Sequence, residues 1–519
     1  MKKILILVAA IFIASCSDNL ESLNQNIKDP ATVPGESLFS GAQKALADQV
    51  VDLNVNNNNT KLWSQFLQET TYTDESNYDQ LTRNIPQQHW DILFKDVLKD
   101  LNEAEKVITA TNYTTSDLNA LKPNKLAIIE ILNVYTYALL VETFGNVPYT
   151  EALDIDNPLP KYDDGLTVYK DLIVRLTTAI NSLDTSLGSY RTADNVYDGD
   201  VTKWKKFAAS LKLRMGILLS DVDNTLAKST VESAIATGIF TSNTDNADFT
   251  YYSADPNTNP IHDNLVLSGR SDFVAAKTII EIMQPRLYEY LTDTNEDGTI
   301  DTKDAATVVP GSVTFTDPRM AYYFDSNIDA DPSVSQTVYL GGGIGSTAGF
   351  SKHSHVSDFV QAATTKGVLL DYAEVEFLLA EAAARTFVVG GTAKEHYDAA
   401  ITASFEDWGL SSADAVGYLA APTVDYATVL AASTATMPWK EVIGNQKWIA
   451  LYNRGLEAWT SIRLLDFPAM ATPADAVSGF PNRYTYPVIE QTLNGSNYTA
   501  AAAAIGTDTA EQKLFWDMN

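Results

Sequence analysis

Oxygen-bearing side chains recur at a metal-binding spacing in Asp293-Thr294-Asn295-Glu296-Asp297-Gly298-Thr299-Ile300-Asp301-Thr302-Lys303-Asp304. Asp293, Asn295, Asp297, Asp301 and Asp304 stand at positions 1, 3, 5, 9 and 12 of this loop. Calcium is a hard cation that collects oxygen ligands, and this alternation aims successive side chains at one centre. Gly298 permits the sharp turn, Thr299 supplies its carbonyl, and Ile300 anchors the loop on apolar neighbours. The last position holds Asp304 where a longer Glu is usual, so bidentate closure requires a slight contraction. The expected cofactor is one structural Ca2+; the competing reading is a solvated acidic turn. Residues 273–291 are expected to enter the loop as a helix interrupted by Pro285, and Pro310-Gly311 limits any helix leaving it.

Other constellations carry less chemistry. Gly341-Gly342-Gly343-Ile344-Gly345-Ser346 has the glycine spacing of a dinucleotide loop, but no amphipathic helix follows and no βαβ unit surrounds it, so it reads as a flexible loop. His353-Ser354-His355 offers two imidazoles without a nearby thiol, HExxH or paired acid. There is no GxSxG and no usable cysteine nucleophile, so no catalytic residue is assigned and the chain is not expected to be an enzyme. Two loops mixing rings, hydroxyls and amides are better suited to ligand contact. Tyr72, Asp74, Asn77 and Tyr78 belong to the first, and Tyr251 and Tyr252 to the second, where Asn257, Asn259 and His262 follow. Rings give a sugar or peptide an apolar platform and polar groups orient it; the alternative for both loops is surface rings with no ligand.

The amino end bears on the compartment. Lys2 and Lys3 precede an apolar run over residues 4–13, too short to span a bilayer, which closes at Ile13-Ala14-Ser15-Cys16. This is the pattern of an export signal: residues 1–15 are expected to be removed, Cys16 to receive diacylglycerol, and the polar stretch 16–34 to serve as a tether. Cys16 is the only cysteine in 519 residues, which excludes an internal disulfide framework. Acyl chains at Cys16 would anchor the protein to a membrane rather than span it. A formal net charge of −30 is the wrong sign for nucleic-acid binding, and 45% hydrophobic content is ample for a large core. The acids are scattered among apolar residues and read as solvated surface. The 25 tyrosines and 8 tryptophans suit sugar or peptide binding, although most of the rings are expected in the core.

Helices must position these residues. Trp90, Leu93, Phe94, Val97, Leu98, Leu101, Ala104 and Ile108 recur at the three-four spacing of a buried stripe. Comparable runs occupy residues 125–144, 169–183, 204–219, 373–386, 394–405 and 446–465. Such runs suggest helices packed in pairs, a solenoid-like scaffold, although no clean 34-residue repeat is present. Long loops around 240–270 and 293–350 are where binding is expected. Short β segments are expected around 312–324 and 336–340. Residues 35–519 read as one intertwined unit, mostly α, with long ligand-side loops and minor β segments.

Several segments, taken together, resemble the SusD/RagB family of nutrient-binding outer-membrane lipoproteins, in its SusD-like branch. The lipobox with Cys16 is followed by Leu23-Asn24 and Pro30, and then by Val141-Glu142-Thr143-Phe144-Gly145-Asn146-Val147-Pro148-Tyr149. Next come Tyr372-Ala373-Glu374-Val375-Glu376-Phe377-Leu378-Leu379-Ala380-Glu381-Ala382 and Gln446-Lys447-Trp448-Ile449-Ala450-Leu451. Glu457-Ala458-Trp459, Arg463, Phe467-Pro468, Arg483-Tyr484-Thr485-Tyr486-Pro487 and Leu514-Phe515-Trp516-Asp517 complete the family's order. One departure is Ser461-Ile462-Arg463-Leu464-Leu465, where the family often has a basic pair. The resemblance implies tetratricopeptide-like helix pairs and no catalysis. It further implies capture of an oligosaccharide or peptide at the cell surface and delivery to a SusC-like TonB-dependent barrel. A calcium-stabilised adhesion or scaffold protein and a surface glycosidase are the alternatives.

Overall fold

The computed structural model describes residues 33–284, 315–326 and 339–518. Cys16 and the calcium-loop residues Asp293, Asn295, Asp297, Thr299, Asp301 and Asp304 lie outside the described residues.

Helix α1 (Gly35–Val51) lies against α2 (Lys99–Ala110), which is entered through helix Ile85–Asp91 and a π-helical stretch, Ile92–Leu98. Leu93, Val97, Leu98, Leu101, Ala104 and Ile108 are all fully buried along one stripe, as their spacing requires. Helix α3 (Lys122–Phe144) is apolar on every side and is buried on every side, so it forms the centre of the largest core cluster. It is long and apolar enough to cross a membrane, yet 89% of its most apolar window is buried within the protein.

Acidic residues open most of the remaining helices because a carboxylate satisfies the free N–H groups of a first turn. Asp164 caps α4 (Gly165–Ser182), Asp200 caps α5 (Val201–Leu218) and Asp223 caps α6 (Asn224–Thr237). Asp371 caps α7 (Tyr372–Ala384), and a Thr392/Glu395 capping box starts α8 (Ala393–Asp407). Among the helices that follow are α9 (Pro438–Ala450) and α10 (Gly455–Leu465). Consecutive helices pack as pairs, α3 with α4, α5 with α6, α7 with α8 and α9 with α10. Contacts of α4 with α5, α5 with α7 and α7 with α9 stack the pairs in a tetratricopeptide-like arrangement.

The 446–465 run is two helices, because the chain turns at Asn453, which has φ 71°. Gly455 starts the second so close to the 60–61 backbone that a Cβ there would lie 2.7 Å from the Lys61 nitrogen. Within 273–291 the described part is strand Phe273–Ala275 followed by helix Lys277–Met283, not one helix, because the strand is drawn into pairing with Leu67–Glu69. The segment 312–324 is likewise no strand where it is described: Met320–Tyr323 is helical and Phe324 makes an isolated bridge to Val356. Among the described residues the β structure is three two-stranded antiparallel sheets. They are β1 (Leu67–Glu69) with β5 (Phe273–Ala275), β2 (Val147–Pro148) with β3 (Tyr162–Asp163), and β4 (Ala247–Phe249) with β6 (Gly367–Leu370).

Candidate ligand-binding site

The β1–β5 pair builds one polar cleft. Register sets Glu69 opposite Phe273, and the ladder continues as Thr70 N donates to Asp272 O at 2.8 Å. The chain then turns outward at Tyr72, whose left-handed backbone (φ 57°) leaves its ring 71% exposed at the edge of a cleft of about 150 Å³. Arg83, Arg270, Asp272, Asn54 and Asn264 line the same cleft. Each guanidinium already has a carboxylate: Arg83 meets the buried Glu75 at 2.5 Å, and Arg270 meets Asp272 at 2.5 Å.

Glu69 completes the floor. Its Oε2 accepts from Ser76 N at 2.9 Å and Ser76 Oγ at 2.8 Å, while burial and the adjacent Glu75 carboxylate hold it protonated far above the usual carboxylate range. The cleft offers an exposed ring, two oriented guanidiniums and amides. Such a set suits reversible binding of a hydroxyl-rich ligand.

The remaining residues of this loop differ in exposure. Asp74 is exposed, and its backbone oxygen accepts from Asp79 N at 2.9 Å. Asn77, only 5% exposed, donates through Nδ2 to Gly345 O at 2.8 Å and accepts at Oδ1 from Asp475 N at 2.9 Å. It is a tie beneath the loop, not a ligand contact. Tyr78 corrects the expectation of a second exposed ring: it is 4% exposed, its ring meets Phe480 edge-on at 5.9 Å, and burial pushes its phenol up to about 12. The reason is that the turn at residues 73–78 folds its C-terminal end back onto the core. The Gly341 to Gly345 segment is likewise pinned rather than flexible. Gly342 N donates to Ala275 O at 2.8 Å, and Gly345 N donates to Gln68 Oε1 at 3.0 Å.

The second expected loop lines a separate cleft of about 400 Å³, where Tyr252, 56% exposed, stands with Lys44, Asn195 and Asn257. Tyr251 is buried, packs its ring 4.9 Å from Phe249 and donates its hydroxyl to Asp48 Oδ1 at 2.8 Å, so it too is a core residue and not a platform. Alternation explains this: adjacent tyrosines leaving a strand point to opposite sides. Arg83 and Arg270 are each an isolated cation in the chain: the β1–β5 pairing brings Arg270 beside Tyr72, and the ion pair with Glu75 holds Arg83 there.

The family model described as "Starch-binding associating with outer membrane" matches residues 26–303 and 295–487. None of the curated proteins compared matches significantly. Among solved structures, a chitin-binding SusD homologue from Flavobacterium johnsoniae is 23% identical with a TM-score of 0.73, covering 93% of this chain and 99% of its own. A SusD homologue from Parabacteroides distasonis is 23% identical with a TM-score of 0.73 over 93% and 97% of the two chains. One from Bacteroides thetaiotaomicron is 21% identical with a TM-score of 0.70 over 94% and 100%. The paired-helix fold, shared over nearly the whole length, and the family match over most of the sequence place this chain in the SusD-like family.

Proposed function

We propose that this protein is a lipid-anchored glycan-binding protein of the outer membrane that holds an oligosaccharide at the Tyr72 cleft and hands it to a SusC-like TonB-dependent barrel. The observation that carries this reading is Tyr72: a ring 71% exposed on a left-handed residue, beside two guanidiniums fixed by carboxylates. An aromatic face takes the C–H side of a sugar and the polar groups take its hydroxyls. The family description and the chitin-binding relative support a glycan over a peptide. Residues 1–15 would be removed, 16–34 would carry the acyl chains and tether, and 35–519 would form the binding domain. Ca2+ held by the 293–304 loop would be structural.

Calorimetry with maltooligosaccharides and chitooligosaccharides tests the reading. Tyr72→Ala should lower affinity by about thirtyfold, the usual effect of removing a stacking ring, with an unchanged melt. Tyr78→Ala should instead cost about 3 kcal/mol of stability, as a buried aromatic does. Parent-like binding by Tyr72→Ala would remove this cleft from the account, and release of shortened sugar would replace binding with hydrolysis.

A further inference from the structure

A third cavity, of about 360 Å³, opens where the ends of α1, α8 and α9 meet β6, and it shares no lining residue with the Tyr72 or Tyr252 clefts. Part of its wall is aromatic. Trp408, which ends α8, sits 4.6 Å from Tyr323, and Tyr323 is stacked on Tyr452 at 4.1 Å and 12°. Phe359, 53% exposed, leans on Trp408 at 5.8 Å and 50°. Buried rings therefore fix the attitude of Trp408, which is partly buried against the core, and through it that of the exposed Phe359.

The polar part of the lining is closed electrically. Lys366 Nζ donates to Asp407 Oδ1 at 2.7 Å and to Asp248 Oδ2 at 2.9 Å. Arg454 is 6% exposed and donates through Nη1 to Asp371 Oδ2 at 3.0 Å, while its buried Nε has no hydrogen-bond partner. These pairings select among ligands. An anion meets carboxylates that outnumber the cations, since Lys366 is shared by Asp248 and Asp407, and a cation must compete with Lys366 and Arg454 already seated on the acids, so neither gains much on leaving water. A wholly apolar ligand would strip water from the Lys366–Asp407 pair and return no hydrogen bond. A neutral ring with one C–H face and a rim of hydroxyls satisfies both sides. The volume lies near the lower end of small-ligand pockets, roughly 300–1,000 Å³, which fits one or two rings rather than a long chain.

We infer that this cavity is a second carbohydrate site, for one or two pyranose rings of a neutral sugar, stacked on Trp408 and Phe359 with hydroxyls on the Lys366–Asp407 pair and Asn453. The site goes beyond the Tyr72 reading and stands without it. Saturation-transfer NMR on the detergent-solubilised full chain, with glucose, N-acetylglucosamine and maltose as probes, tests it in a Tyr72→Ala background. That protein should still bind a probe, and adding Trp408→Ala or Phe359→Ala should weaken binding by about tenfold. If Trp408→Ala lowers the melt, Phe359→Ala decides, since its ring is largely outside the core. The proposal is overturned if the Tyr72→Ala protein binds none of the three probes, or if Phe359→Ala leaves its affinity unchanged. Binding that survives Tyr72→Ala intact and is lost with Phe359→Ala sinks the Tyr72 reading instead and leaves this one standing.

Discussion

Glu69 and Glu75 set two carboxyls side by side under the Tyr72 loop, and Arg83 can neutralise only one of them. Burial is the largest influence on Glu69, with the neighbouring Glu75 adding to it, so the folded protein keeps a proton there that the unfolded chain would release. The folded value lies above the ordinary glutamate value of 4.5. Stability from this site is thus fully present below about 4.5 and is lost as pH rises through the folded value. Glu69→Gln mimics the protonated acid, since its oxygen still accepts from Ser76 and its amide donates toward Glu75. The variant should unfold at higher urea than the parent at pH 8 and at nearly the same urea at pH 4.5. A parent-like difference at both pH values would mean that Glu69 is ionised in the fold. Nothing in the sequence announced this pair, because Glu69 ends a strand and Glu75 sits in a turn. What the sequence did offer was Tyr72, whose exposure follows from a loop rich in small polar residues, whereas Tyr78 and Tyr251 were indistinguishable from it without knowledge of which side each strand or turn presents.

Helices were legible where one stripe of apolar residues repeats, as in α2, and where a long apolar run is buried all round, as in α3. They were misread where a turn needs only one residue, as at Asn453 between α9 and α10, since asparagine tolerates φ 71° without any composition change. The motifs that resembled a family turn out to hold elements together. Arg463 of α10 lies between the Trp459 ring at 3.6 Å and the Trp516 ring at 4.6 Å, and donates to Glu142 O at 3.0 Å and Asn482 O at 2.8 Å. One planar cation thereby joins α10, α3 and the C-terminal segment, and burial pulls its own affinity for a proton down to about 9. Lysine keeps the charge but cannot stack between two rings while donating along two directions. Arg463→Lys should therefore cost on the order of 3 kcal/mol in urea unfolding, the sum of two or three hydrogen bonds and the cation–π contacts. Calcium acts at the same scale if the 293–304 loop takes it: clustered carboxylates repel when uncompensated. The parent should then melt higher in calcium than in chelator and carry one ion per chain by elemental analysis. Identical melts and no bound calcium would make the loop a solvated turn.

For the whole molecule the question is what keeps a protein of net charge −30 at a membrane surface. Basic patches that hold other proteins on anionic headgroups contribute about 1 kcal/mol per cation, and here the balance of charge runs the other way. Among the described residues, the stretch long and apolar enough to span a bilayer is committed to the core, with 89% of its most apolar window buried. The proposed acyl chains at Cys16 would supply the attachment instead: each buried methylene adds about 0.8 kcal/mol, and this contribution is indifferent to ionic strength. The parent should accordingly stay in the outer-membrane pellet through a high-salt wash, whereas Cys16→Ser should move to the soluble fraction while keeping the parent's melt and sugar affinity. Retention of Cys16→Ser in the pellet after that wash would move the anchor elsewhere. Retention only in cells that express the proposed SusC-like barrel would assign it to that barrel, and the tether expected at residues 16–34 would then serve reach rather than attachment.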